Sequence, residues 1–144
     1  MQLVPFTESL FDAHEAAFLA IARDVQGEYW AREHFLRDLP EKWQLSFAVM
    51  IDDEPVGYAI MSRPEAGRVH LHHLMLRADK RGQGIGQRML MQCRSHAQAA
   101  GARTLSLKVA AGADRARRLY CAHGFRELSI ADGYVSGVLT LDTP

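Results

Sequence analysis

The sequence predicts an α/β (α+β) domain: a mixed, mostly antiparallel twisted sheet of about seven strands with about four helices on both faces. Three observations carry that prediction. Apolar runs of strand length interleave with segments whose apolar residues recur at helical spacing, in the order β-α-α-β-β-β-α-β-α-β-β. Such interleaving requires a sheet covered by helices on either side. The length, 144 residues of which 48% are apolar, suits one domain over residues 1–144 with a substantial core.

Each element follows from local pattern. "MQLVPF" reads as a short first strand. Between Ser9 and about Asp24, Leu10, His14, Ala17, Phe18 and Ile21 fall near one face, which predicts a single helix with Ser9 as its N-cap. "VQGEYW" interrupts, and a second helix is expected over Ala31 to Leu39, stopped by Pro40. "LSFAVMI" and "PVGYAIMSR", joined by the acidic turn "DDE", read as an antiparallel hairpin. "PEAG" is a turn and "RVHLHHLML" a third strand. From Ile85, the residues Met89, Leu90, Cys93 and Ala97 keep helical spacing up to Gly101, a C′ glycine. "TLSLKVA" is a strand. "DRARRLYCAH" is a helix with Asp114 as cap and Gly124 as stop. "GFRELSI" and "YVSGVLTL" are the last two strands.

Bulk properties narrow the partners. The 17 basic and 17 acidic residues balance, so no overall charge draws the chain to nucleic acid or to an acidic membrane. "MQLVPFTESLF" lacks the basic and long apolar regions of a signal peptide, and no apolar stretch reaches membrane-spanning length. Cys93 and Cys121 both fall inside predicted helices. That argues against a disulfide framework and for a reducing, cytoplasmic setting. No internal repeat or low-complexity linker is present.

The chemically informative stretch is "HLMLRADKRGQGIGQRMLMQ", where a strand breaks into charge, three glycines alternate at Gly82, Gly84 and Gly86, and a helix begins at once. Unpaired backbone N–H groups and the helix dipole make such a terminus an anion site, and glycines let the backbone approach oxygen atoms closely. Two familiar phosphate loops do not fit. Gly86 is followed by Gln87 and Arg88 rather than Lys-Ser/Thr, and the dinucleotide fingerprint would need glycine at position 87. The segment some 20 residues on, "RTLSLK", also lacks the ribose-binding acid. Taken alone, "DKRGQG" is compatible with an ordinary exposed turn.

Arg81-Gly82-Gln83-Gly84-Ile85-Gly86 matches R/Q-x-x-G-x-G/A, and the later "ADRARRLYCAHGF" matches A-x-x-L-Y-x-x-x-G-F. With these two motifs in this order and context, the chain resembles the GNAT superfamily of acyl-CoA-dependent N-acetyltransferases, and the likeness in element order covers most of its length. The resemblance implies the GNAT fold and transfer of an acetyl group from acetyl-CoA to a primary amine in a ternary complex. It implies that backbone amides from Arg81 through Gly82, Gln83, Gly84, Ile85 and Gly86 to Gln87 bind the coenzyme pyrophosphate. It implies that the strand before the turn parts from its neighbour, so that the pantetheine arm pairs with Leu74, Met75 and Leu76. An amide near Leu76 would polarise the thioester carbonyl. Tyr120 falls on the family's general acid; the alternative is a core aromatic beside Leu119. A departing thiolate, with a thiol pKa of about 8.5, can take a proton from a tyrosine of about 10. Ala113 replaces an asparagine often found there, which removes a side-chain contact. Arg115, Arg117 and Arg118 form a basic helix face, either plainly solvated or, at Arg117, reaching a coenzyme phosphate. Homodimers are common in the family.

The proton acceptor and the amine are less determined. An alkylamine, with a pKa of about 10.4, arrives protonated, so a side chain or water must take its proton. In "VHLHHL", alternation puts His70 and His72 on one face and His73 on the other. The resemblance places an H-x-H pair of some arylalkylamine acetyltransferases here, and His70 where other members carry a base glutamate. Packed or surface histidines are the competing reading. A zinc site is not expected: His70 and His72 lack a nearby third ligand, and Cys121-Ala122-His123 is too tight. The family's acceptor wall corresponds to "DVQGEYWAREHF" and "IADGYV". There Glu28, Glu33 and Asp132 would attract a cation and Tyr29, Trp30 and Tyr134 would stack on it. Ribosomal-protein alanine acetyltransferases tend to carry E-V-R-x-x-N where this chain has "KVAAGA", with Lys108 in place of the glutamate. A small-molecule amine is therefore the expected acceptor, with a protein amine or a non-catalytic acyl-CoA sensor as alternatives.

Overall fold

In the computed structural model, residues 1–24 and 29–141 are described. The elements are β1 (Gln2–Pro5), α1 (Glu8–Ala13), α2 (Glu15–Ala22), α3 (Arg32–Leu36), α4 (Lys42–Leu45), β2 (Phe47–Ile51), β3 (Glu54–Glu65), β4 (Arg68–Leu76), α5 (Ile85–Ala99), β5 (Thr104–Ala110), α6 (Asp114–Ala122), β6 (Arg126–Ala131) and β7 (Tyr134–Thr140). The seven strands form one sheet in the order β1-β2-β3-β4-β5-β7-β6. Every pair is antiparallel except β4 with β5. All predicted strands are present, and the mixed character comes from that single parallel pair.

The helices differ from expectation before β2. The first predicted helix is two, broken at His14, whose φ of −131° leaves the helical region. Thr7, not Ser9, is the cap: its hydroxyl accepts from the Leu10 amide at 3.0 Å. Phe11 from α1 and Phe18 from α2 both pack on Phe6, at ring separations of 6.3 and 5.0 Å. The second predicted helix ends early, at Leu36, and α4 follows Pro40 as a separate turn. The end of α3 is met by a side chain from outside that helix. Lys42 is buried, with its Nζ donating to the carbonyls of Phe35 (2.6 Å) and Arg37. It satisfies the open end of α3 from outside that helix. Six α-helical segments thus stand among the described residues where about four were expected.

Two cores flank the sheet. On one face α5 buries Ile85, Met89, Leu90, Cys93 and Ala97, its predicted stripe, against Val69, Leu71, Leu105 and Leu107. Leu119 and Tyr120 of α6 pack on the same core. On the other face an aromatic cluster of Phe6, Phe11, Phe18, Phe35 and Tyr58 holds α1, α2 and α3 to the sheet. Offset and edge-on ring pairs of this kind add stability beyond area burial.

The site depends on an irregularity in β4. Ile60 pairs with His73 but Met61 pairs with Leu71, so His72 is an extra, bulged residue. Before the bulge, Val69 and Leu71 face α5; after it, Met75 joins the aromatic core and Leu74 and Leu76 face α5. The expectation that His73 lies opposite His70 and His72 is therefore corrected. The bulge resets the alternation, and all three imidazoles lie on the aromatic-core side. The pairing of β4 with β5 also stops here, running only from Arg68–Thr104 to Leu71–Leu107. Across β4, Gly57 permits close approach: a Cβ there would sit 2.8 Å from the Met75 carbonyl oxygen and 3.1 Å from Met89 Cε. Gly57→Ala is expected to destabilise the fold by about 1–3 kcal/mol, since backbone must shift to admit the methyl. Urea unfolding of the two proteins measures it; equal midpoints would contradict the close contact.

Candidate active site

A strand that leaves its parallel neighbour exposes backbone on one edge. The Arg77 amide donates to the Val56 carbonyl at 2.7 Å. Antiparallel alternation then points the amides of Met75 and His73 toward β3, and those of Leu74 and Leu76 into the cleft between β4 and β5. Consistent with this, the Leu76 carbonyl accepts from Arg81 Nε at 3.1 Å. Leu74 and Leu76 offer main-chain groups to an extended ligand, whereas Met75 buries its side chain among the aromatic rings.

Downstream of β4 a short 3-10 turn, Ala78–Lys80, leads into the glycines. Gly82 and Gly84 adopt φ of +76° and +82°, a left-handed conformation that side chains disfavour. Gly84 caps α5 with no side-chain oxygen, and the first intrahelical bond is Arg88 to Gly84. The amides of Ile85, Gly86 and Gln87 therefore have no intrahelical acceptor and point out of the positive end of a fifteen-residue helix. Gly86, without a side chain, keeps the helix start open beside Leu119. The Gln83 side chain does not face the cavity but ties the turn, donating to the Asp79 carbonyl at 3.2 Å. Arg81 also pairs with Asp24 at 3.2 Å, tying the turn to the end of α2.

These pieces line one cavity of about 1340 Å³ that runs from Gly82, Gly84 and Gly86, past Leu74, Leu76 and Tyr120, to His72, Trp30 and Tyr134. The ring of Tyr120 is held edge-on to Phe125 at 5.6 Å. Arg117 is turned away. Its guanidinium pairs with Glu127 (2.8 and 3.0 Å) and donates to the Ala111 carbonyl, while Arg115 and Arg118 line the cavity. Ala113 lines it too, without a polar contact to give.

The histidines separate by surroundings. His70 is engaged with Ser106 Oγ at 2.7 Å, a hydroxyl that also accepts from Arg68, and it is not among the cavity-lining residues. Burial, then the charges of His72, Arg68 and Lys108, push its pKa from 6.5 down to about 4. His72 lines the cavity, bonded to Ser62 Oγ at 2.6 Å, with its ring 4.7 Å from that of His70. Burial first, then Arg37, Arg68 and Lys42, hold it below the ordinary imidazole value. His73 and His34 also line the cavity, and local pattern identified neither. His73 shares a 2.7 Å hydrogen bond with Tyr58 Oη and stacks on Trp30 at 4.7 Å. Only the bulge could have revealed His73, and a single sequence carries no signal for it.

Of the residues expected to form an acceptor wall, Tyr29, Trp30, Asp132 and Tyr134 line the cavity; Glu33 is exposed outside it, and Glu28 lies outside the described residues. Among the described residues no group of three His, Cys, Asp or Glu side chains could hold a metal. No described helix is long and apolar enough to cross a membrane.

Fold and site together present one long cleft, with the open start of α5 at one end and the imidazoles of His72 and His73 at the other. The chain matches the model of the Acetyltransferase (GNAT) family over residues 7–125, and so belongs to that family. It is an acyltransferase by membership. Solved structures agree in fold. The Escherichia coli ribosomal-protein-S18-alanine N-acetyltransferase superposes with a TM-score of 0.83 at 20% identity, over 99% of this chain and 95% of that one. Ard1 from Thermoplasma volcanium gives 0.83 at 16%, over 98% and 97%. The PaiA N-acetyltransferase from Thermoplasma acidophilum, in complex with coenzyme A, gives 0.75 at 14%, over 96% and 98%. No curated protein matches the chain by sequence.

The depressed His70 makes stability pH-dependent. The folded protein keeps this imidazole neutral down to about pH 4, while the unfolded chain binds a proton near 6.5. Unfolding therefore takes up a proton in that window, and the contribution present above pH 6.5 is lost as pH falls toward 4. The melting temperature should fall over this range. His70→Gln should flatten the slope; an unchanged slope would contradict the assignment.

Proposed function

We propose that the protein transfers acetyl from acetyl-CoA directly to a primary amine, probed most simply as a small-molecule amine, in the cytoplasm. The observation that carries this reading is the single cavity joining the α5 amides, the cleft-facing backbone of β4, Tyr120 and His72. The residues fit the coenzyme. The amides of Ile85, Gly86 and Gln87, with Arg81, Arg115 and Arg118 nearby, suit its phosphates. Leu74 and Leu76 suit an amide-rich arm that pairs as a strand would.

In this reading each group has one task. The Leu76 amide donates to the thioester carbonyl oxygen and stabilises the charge that grows on it. His72, kept neutral by burial and by its cationic neighbours, accepts the proton of the incoming ammonium, directly or through water. The amine nitrogen then forms its bond to the acyl carbon as the carbon–sulfur bond breaks, and Tyr120 gives its proton to the departing thiolate. His70, held on Ser106, positions His72 rather than touching substrate. A peptide amine is the second reading. Its support is the fold shared with the S18-alanine enzyme and with a NatC complex bound to Gag peptide, and Lys108 weighs against it. A sensor without chemistry would bind coenzyme and acetylate nothing.

The first measurement is the melting temperature with acetyl-CoA. A ligand at a hundredfold excess over Kd should add about 2.7 kcal/mol, and ATP or NAD should add little. Absence of a shift at millimolar acetyl-CoA would remove the reading. Tyr120→Phe keeps the ring on Phe125 and should lower kcat roughly a hundredfold or more; unchanged turnover at every pH would exclude Tyr120 as the acid.

A further inference from the structure

The acceptor end of the cavity has an unusual charge arrangement. Along β5, Leu105, Leu107 and Val109 face the α5 core, so Ser106, still paired with His70, and Lys108, just past the point where β4 and β5 part, face the opposite side, that of His70 and His72. Lys108 pairs in register with Ser136 of β7, and Ala110 with Tyr134. Lys108, Ser136 and Tyr134 all line the cavity, as does Asp132 in the turn before β7. Among the described residues, neither Lys108 nor Asp132 forms an ion pair or a side-chain hydrogen bond, whereas Arg68, Arg77, Arg81 and Arg117 each have a carboxylate partner.

We propose that the acceptor is an amine that also carries a carboxylate, with Lys108 and the Ser136 hydroxyl binding the carboxylate and Asp132 facing the amine end. The inference rests on the acetyl-transfer reading and names its substrate class. Three features support it. The lysine and the serine sit directly opposite one another across an antiparallel pair, with Cβ atoms roughly 5 Å apart, so one anion can take donors from both. The cation lies at the acceptor end and not at the α5 terminus, where Arg81, Arg115 and Arg118 already line the cavity. The charged side chains that act on His70 and His72 are all cations: Arg68, Lys108, Arg37 and Lys42. A simple alkylammonium enters that field at a cost, and an acceptor with its own carboxylate offsets it.

The test compares straight-chain amino acids of increasing length with their primary amides, read by thiol release from acetyl-CoA in wild type, Lys108→Ala and Lys108→Glu. The expected result is a preference in kcat/KM of tenfold or more for one or more acids over the matching amides. That ratio should collapse in Lys108→Ala and invert in Lys108→Glu, with the change carried mainly by KM. A ratio near one in wild type, or a ratio that Lys108→Glu leaves in place, overturns the proposal. If acetyl-CoA raises the melting temperature but no amine is acetylated, the transfer reading fails separately. The charge inference is then decided by melting with coenzyme A present. A further rise with an amino acid, absent with its amide and absent in Lys108→Glu, supports a carboxylate site; equal responses overturn it.

Discussion

The parting of β4 from β5 is the constraint on which the site rests. Two parallel strands held by hydrogen bonds along their full length would leave no room between them and no main-chain groups to offer. Here pairing ends at Leu71–Leu107, and the bulge at His72 supplies the local bend and twist. One inserted residue has three effects. It exposes the amides of Leu74 and Leu76, it gathers three histidines on one face, and it turns Met75 into the aromatic core. The bend is held from behind by Gly57, where bare backbone lets β3 and β4 come closer than any side chain would allow.

The two cores then fix the ends of the cleft. The α5 stripe packs so that the helix N-terminus, opened by left-handed Gly82 and Gly84, meets the edge that β4 exposes. The aromatic cluster holds Trp30 against His73 and so sets the wall of the cleft at that end. Charge is divided the same way. Cavity-lining arginines collect near the helix terminus, while desolvated imidazoles and Lys108 occupy the other end. A neutral imidazole within a positive field is suited to receive a proton only in passing, because its protonated form is disfavoured by the same neighbours that keep it neutral.

What was legible in the sequence follows from range. The strands, the α5 stripe, the glycine turn and the motif around Tyr120 are written in spacings of a few residues, and the family and fold follow from them. The break at His14, the early end of α3 and the separate α4 were not legible. They depend on Phe6 meeting two other rings and on Lys42 reaching the carbonyls of Phe35 and Arg37. Arg117 was misplaced for the same reason: its partner Glu127 lies ten residues away, on the edge strand.

By itself, then, the sequence determined the order of the strands, the glycine turn that opens α5 and the motif around Tyr120, the proposed acid. Those are local properties of backbone freedom, periodicity and residue type. Only the tertiary structure decided which histidine reaches the cavity and which arginines face it, and that Lys108 and Ser136 stand together there. The histidines and the Lys108–Ser136 pair turn on strand register, which is set by how two cores pack on opposite faces of one sheet, while Arg117 is turned by its pairing with Glu127.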